Sequence, residues 1–186
     1  MNLQEEEISS KVVFEGIHFR IIHSEVKLAN GDIVTREFLE SKFSTVATVL
    51  LDEQQNIYLV KQFRTAIQRS RLEIPGGRFF PEKGESAQQA AMRECREEVG
   101  MEPKKLELLF YVDGGGSWKR PAYYFLGTDL KKNPLPSDAD EVLQMSVMLF
   151  RDYLKLHLED QENQGRGDEF KAILLVAKKL GYLRIL

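Results

Sequence analysis

Apolar and polar positions fall into short alternating or continuous runs along most of the chain, and change to helical spacing in three places. Val12-Val13-Phe14 opens the first run, residues 18–28 alternate imperfectly, and Ala29-Asn30-Gly31-Asp32 follows. Asn-Gly accepts the positive φ angles of tight hairpins, so residues 33–39 are predicted to return as an antiparallel partner. Two strands alone are too thin to be stable, so this hairpin must pack on the rest of the chain or on a second copy. Residues 45–51 form a nearly continuous β-branched apolar run, the mark of a buried strand. The polar turn 52–56 leads to a returning strand at 57–63, and residues 72–75 make a short strand before Gly76-Gly77.

A helix is predicted over residues 86–99, with Ser86 as its cap and Gly100 as its stop. Met92, Cys95 and Val99 give it an apolar seam at helical spacing. Two more strands are expected at 106–112 and 122–127, joined by a glycine-rich loop over residues 113–121. A final strand spans 142–150, a helix begins near Arg151, and a polar loop runs through Gly165-Arg166-Gly167. Phe170, Ile173, Leu174, Ala177 and Leu180 mark a closing amphipathic helix. No internal repeat or linker divides the chain. The order of elements permits an α/β/α sandwich with a mixed sheet.

The predicted helix carries Glu94, Glu97 and Glu98, three carboxylates whose offsets crowd them on one side. Like charges so placed destabilise a helix unless something positive sits among them. A hard divalent cation would do this, since Mg²⁺ is held by a few carboxylates together with substrate phosphates. A solvated charged face with Arg93 and Arg96 as counter-ions would do it as well, and the residues alone leave both readings open.

Composition narrows the class. At 186 residues the chain suits one well-buried core. Its apolar and charged fractions, 42% and 30%, are ordinary for a globular protein. A formal net charge of −3 argues against a large nucleic-acid surface, and Lys104-Lys105 and Lys178-Lys179 are too sparse to make one. Cys95 is the only cysteine, which fits a reducing compartment. The acidic start lacks a signal peptide's basic and apolar regions, and no apolar run reaches membrane-spanning length, so a cytoplasmic location is expected. His18, His23 and His157 form no cluster in sequence, and Cys95 faces the core in this reading, away from any nucleophilic role.

From Glu85 onward the segment resembles the Nudix box, which reads Gly, five residues, Glu, seven residues, Arg-Glu-apolar-x-Glu-Glu-x-Gly-apolar. Here seven residues separate Glu85 from Arg93-Glu94-Cys95-Arg96-Glu97-Glu98-Val99-Gly100-Met101, and every position is filled. One departure lies upstream: seven residues, not five, separate Gly77 from Glu85, as in a loop with two residues added. Loops tolerate such insertions at low entropic cost. The resemblance implies the Nudix α/β/α sandwich and Mg²⁺-dependent hydrolysis of a diphosphate, with Mn²⁺ as a possible substitute. Carried over by position, the metal ligands would be Glu94, Glu97, Glu98 and the carbonyl of Gly76. Arg93 would orient the glutamates and Glu85 would organise the loop and helix, the alternative for Glu85 being an acid that favours the helix dipole.

Residues 59–64 and 72–77 are similar to the segment preceding the box in ADP-ribose and other nucleoside diphosphate sugar pyrophosphatases, a looser likeness covering roughly residues 11–180. It implies a substrate contact at Arg64 with Glu73 beside it, against a plain strand-end arginine. It also implies that residues 1–43 form a hairpin dimerisation region and residues 44–186 the hydrolase domain, in a homodimer. That group's proline beyond the box has no match at Gly114-Gly115-Gly116, so sugar nucleotides other than ADP-ribose stay in play. Trp118 would stack on a base or sugar, or pack on its own scaffold. The general base is assigned to Glu141, with Asp138, Asp140 and Glu97 as alternatives. The expected activity is cleavage of a nucleoside diphosphate sugar to a nucleoside monophosphate and a sugar phosphate. A dedicated ADP-ribose pyrophosphatase and a non-catalytic sensor of nucleotide sugars are the rivals. RNA decapping is disfavoured by the lack of a basic tract.

Overall fold

A computed structural model describes residues 3–137, 142–159 and 167–183. Its strands are β1 (Glu6–Glu15), β2 (Phe19–Lys27), β3 (Ile33–Ser41), β4 (Ser44–Leu51), β5 (Asn56–Arg64), β6 (Arg69–Glu73), β7 (Arg78–Phe79), β8 (Met101–Gly115), β9 (Trp118–Lys132) and β10 (Leu143–Leu149). Its helices are α1 (Ala87–Glu98), α2 (Phe150–Glu159) and α3 (Gly167–Lys179). The chain packs as two units: one runs to Ser44 and includes Val112–Ala122, the other holds Thr45–Tyr111 and the chain from Tyr123 onward.

In the first unit β1, β2 and β3 form an antiparallel ladder. The Asn30-Gly31 turn sits where its sequence places it. Gly31 has φ +93°, Leu28 N–H donates to the Asp32 carbonyl at 2.8 Å, and Lys27 pairs with Ile33. β1 begins well before Val12, because its first half pairs through backbone and polar side chains and shows no apolar alternation: all ten residues are exposed. The expected loop over residues 113–121 is instead mostly strand, reversing at Gly116-Ser117. Glycine runs read as loop because they weaken strands, but here a glycine is required by a close approach. A Cβ at Gly114, whose φ is +128°, would lie 2.0 Å from the Trp118 carbonyl oxygen. Leu39 N–H donates to the Ser117 carbonyl at 2.8 Å, and β3 then runs parallel to the start of β9, pairing Leu39 with Trp118.

In the second unit β4 lies between β9 and β5, and β5 pairs with β10 from Asn56↔Leu149 to Gln62↔Leu143. Beyond Tyr58, which faces Leu50 of β4, β5 pairs with β6 from Val60↔Glu73 to Arg64↔Arg69. The apolar runs of β4 and β5 are core: Val49, Leu50, Ile57 and Leu59 have no exposed surface. α1 rests on this sheet through Ala90 and Ala91, against Val46, Phe79 and Phe125, and through Cys95 and Val99, against Leu50 and Val60. Met92, expected in that seam, is only half-buried. The two alanines take its place because small side chains let the helix approach closely. Burying a Val- or Phe-sized partner contributes about 1.5–3 kcal/mol, so these contacts fix which side of α1 stays open. α2 buries Phe150, Tyr153, Leu154 and His157, and α3 buries Glu169, Ala172, Ile173, Val176 and Ala177. Among the described residues no helix is long and apolar enough to cross a membrane.

Candidate active site

α1 starts on a reciprocal cap. The Ser86 hydroxyl accepts the Gln89 N–H at 3.3 Å, and the Gln89 side chain accepts the Ser86 N–H at 2.9 Å. Two orphan donors of the first turn are thereby satisfied. The helix stops just before Gly100, whose φ is +68°. Between these limits stand Arg93, Glu94, Glu97 and Glu98, and Glu94 is itself buried on the face that carries Ala90, Ala91 and Cys95.

The glycine pair is dictated by what presses on it. A Cβ on Gly76 would lie 2.3 Å from the Val46 carbonyl oxygen, and one on Gly77 would lie 2.2 Å from Oε1 of Glu94. The turn is hydrogen-bonded to β4 on both flanks, with Thr48 N–H donating to the Pro75 carbonyl and Val46 N–H to that of Gly77, each at 2.9 Å. Gly76 N–H donates to Oε2 of Glu98 at 2.7 Å. Sequence neighbours 22 residues apart are thus joined directly, backbone of the turn to carboxylate of the helix.

Arg93 is the hub of the cluster. Its Nε–H donates to Glu85 at 2.8 Å, its Nη1 to Glu94 and Glu97 at 2.8 Å each, and its Nη2 to Glu85 at 3.3 Å and the Arg78 carbonyl at 3.2 Å. A guanidinium has five N–H donors, and these bonds use them all. Arg93 therefore orients carboxylates and has no donor to offer a substrate. The Glu85 hydrogen bond is the largest influence raising Arg93 above its ordinary pKa; burial opposes it, and the Glu94 charge adds to it. Glu85 is tied to the arginine, and so organises loop and helix.

Of the solvated-face reading, Arg93 as counter-ion is seen, but the face is not open to solvent. The Glu94 and Glu97 side chains are only 12% and 16% exposed. Arg96 also turns away, donating to the Asn133 carbonyl at 2.9 Å and approaching Glu102 at 3.9 Å. Glu85, Glu94 and Glu97 thus gather around Arg93 in a partly buried place, with Glu98 beside them on the glycine turn. The donors are all hard oxygens, as Mg²⁺ and Mn²⁺ require. Among the described residues no three carboxylate, imidazole or thiol groups converge on one point. Arg93 lies between Glu85, Glu94 and Glu97 and takes one oxygen from each of the last two.

Arg64 at the end of β5 and Glu73 at the end of β6 form a two-pronged ion pair, with Nε 3.1 Å from Oε1 and Nη2 against Oε2. The pair ends where the glycine turn begins. Trp118 lies in the first unit, edge-on to Phe19 at 6.4 Å between ring centroids, with Arg120 4.6 Å over its ring. It is scaffold-packed yet 39% exposed. Ser137 donates to the Glu97 carbonyl at 3.0 Å, and Leu135 N–H to that of Arg96. Glu141, Asp138 and Asp140 lie outside the described residues. Cys95 has no exposed surface, and burial foremost pushes its thiol up to about 12, so it stays protonated at neutral pH and cannot serve as a nucleophile.

One group near the turn escaped the sequence reading. Glu169 accepts the Ile74 N–H at 3.0 Å across 95 residues of chain. The signal was a carboxylate on the same face of α3 as Ala172, Ile173 and Val176.

A sequence model of the NUDIX domain matches residues 42–169. Over 159 residues the chain is 31% identical to an ADP-ribose pyrophosphatase of Bacillus subtilis, spanning 83% of this chain and 84% of that protein. It is 33% identical over 143 residues to an ADP-ribose pyrophosphatase of Mycobacterium tuberculosis, spanning 76% and 68%. A solved structure of an ADP compounds hydrolase matches with a TM-score of 0.85 at 22% identity, over 100% of both chains, a likeness of fold.

Proposed function

The chain belongs to the Nudix family and is a pyrophosphohydrolase of it, and from this premise we propose that it hydrolyses nucleoside diphosphate sugars to a nucleoside monophosphate and a sugar phosphate. The observation that carries this reading is the half-buried carboxylate group of Glu94, Glu97 and Glu98, set against the Gly76-Gly77 turn. In this reading Glu94, Glu97, Glu98 and the Gly76 carbonyl hold a divalent cation, Mg²⁺ first and Mn²⁺ as substitute. When bound, that ion supplies charge neutralisation and a water of lowered pKa.

The chain's own residues do the rest. Arg93 fixes the glutamate rotamers, so little reorganisation is needed as charge develops. Arg64, held by Glu73 at the entrance to the turn, contacts the substrate's phosphate or sugar. Trp118 stacks on base or sugar, a role that rests on its chemistry and exposure. Glu141 takes the proton of the attacking water, with Asp138, Asp140 and Glu97 as alternatives. A cytoplasmic location belongs to the same reading, on the strength of the single cysteine.

Residues 1–43 are proposed as a dimerisation region beside a hydrolase domain of residues 44–186. β1 is the terminal strand of its ladder, and it exposes Ile8, Val12, Val13 and Phe14. An apolar unpaired edge of this kind is a template for a second copy. Light scattering on an eluting sample is expected to give twice the mass of the 21.4 kDa chain; a stable monomer at micromolar concentration would discard the dimer.

The names of the two bacterial relatives favour a dedicated ADP-ribose pyrophosphatase as the second reading. A turnover panel of ADP-ribose, UDP-sugars and GDP-sugars with Mg²⁺ and with Mn²⁺ separates the readings. Hydrolysis of several is expected, and hydrolysis of ADP-ribose alone would establish the narrower enzyme. Tight binding without turnover in either metal would turn the protein into a sensor.

A further inference from the structure

The segment from Glu73 to Gly77 is pinned residue by residue, each to a different side chain or strand position. Glu73 is held by Arg64, the Pro75 carbonyl by Thr48, Gly76 N–H by Glu98 and the Gly77 carbonyl by Val46. Ile74 is held from α3, by Glu169.

That last bond is chemically conspicuous. β6 ends at Glu73, whose ladder partner is Val60, so the next N–H has no strand opposite it. Ile74 is buried, and an orphan N–H there would cost the full desolvation of the group. Glu169 supplies the acceptor from a face of α3 otherwise made of Ala172, Ile173, Val176 and Ala177. A carboxylate only 5% exposed is expensive to keep among such neighbours unless it is well bonded. Its Oε1 accepts both the Ile74 N–H and the Tyr153 hydroxyl, each at 3.0 Å. The phenolic oxygen also lies 3.3 Å from the Leu72 carbonyl. It has one proton, and the charge-assisted bond to the carboxylate is the stronger claim on it. Tyr153 is 1% exposed, and the His157 ring packs on it at 4.4 Å between centroids. Burial and the Glu169 charge raise its pKa well above the ordinary value, so the hydroxyl remains a donor throughout the working pH range.

We propose that Glu169, oriented by Tyr153, is a positioning residue for the glycine turn: it fixes Ile74, and through Pro75 the Gly76 backbone that meets Glu98. The two-residue lever is short and stiff, because proline locks φ between the anchor and the glycine. The consequence for catalysis rests on the hydrolase reading above; the consequence for the backbone does not.

Amide hydrogen exchange by mass spectrometry, run beside steady-state kinetics on the full chain, tests both. In Glu169→Leu, exchange at Ile74 and Gly76 is expected to rise roughly tenfold while α1 is unchanged, because the local bond is lost without global opening. In the same variant kcat should fall about tenfold or more with KM nearly constant. Glu169→Gln keeps an acceptor oxygen and should restore both. If Glu169→Leu does not fold, Tyr153→Phe is read in its place, with an expected rise of roughly threefold at Ile74. Unchanged exchange at Ile74 and Gly76 in a folded variant, or a glutamine variant as impaired as the leucine one, would overturn the assignment. A wild-type protein that hydrolyses no sugar nucleotide would overturn the functional reading instead, while the exchange measurement still decides the positioning role.

Discussion

Glu98→Gln is expected to melt with the wild type and to lose roughly two to three orders of magnitude in kcat, the equivalent of several kcal/mol of transition-state stabilisation. The structural task of Glu98 is to accept the Gly76 N–H at 2.7 Å. A glutamine carbonyl oxygen can do the same, so the turn should stay in place. What the substitution removes is the negative charge and the anionic donor that a divalent ion requires. Thermal melting and kcat measured on one preparation check the split. Wild-type turnover in this variant would remove Glu98 from the metal-binding set, and a large drop in melting temperature would make its role architectural.

The second large effect distinguishes the two adjacent glycines. In Gly76→Ala the new methyl meets backbone, the Val46 carbonyl oxygen at 2.3 Å and the Ala47 Cα at 2.7 Å. Neither can yield without moving β4, so the cost falls on the fold, about 1–3 kcal/mol or more by the usual range for overpacking. In Gly77→Ala the atoms nearest the methyl are those of the Glu94 carboxylate, at 2.2–2.6 Å. That side chain can yield by rotating, as backbone cannot, but in doing so it leaves its bond to Arg93 and its place in the cluster. Gly77→Ala should therefore keep its melting temperature and lose activity, roughly 10–100-fold, as when groups that orient metal ligands are disturbed. Gly76→Ala should lose both. Identical melting curves for the two variants would contradict the geometry of the turn.

Much of this arrangement could be read from sequence because it is written locally. Ser86 with Gln89, Gly100 at positive φ, and the Asn30-Gly31 turn each follow from a few adjacent residues. The i, i+4 relation of Arg93 to Glu97 is likewise a property of a single helix. What could not be read depends on contacts between distant segments. The glycines at 114–116 look like a loop until the Trp118 carbonyl is seen pressed against Gly114. The first half of β1 has no apolar period, since it is exposed along its whole length. Met92 and the alanines compete for the seam of α1, and only the closeness of Val46, Phe79 and Phe125 decides for the alanines. Glu169 is the extreme case. Its partner N–H is 95 residues away and belongs to a backbone group, which carries no sequence signature.

The stretch between Gly77 and Glu85 has a practical use. Arg93 grips it at both ends, through the Arg78 carbonyl and the Glu85 carboxylate, and Phe79 roots it in the core. Between these grips Pro81, Glu82, Lys83 and Gly84 are exposed, bonded among themselves and to Phe80, through its carbonyl and through the Lys83 ammonium 4.3 Å over its ring, with open space around Gly84. The extra length is therefore decoupled from the framework of α1. An epitope or a spectroscopic reporter spliced at Lys83-Gly84 would sit beside the Arg93–glutamate cluster without touching the hydrogen bonds that shape it.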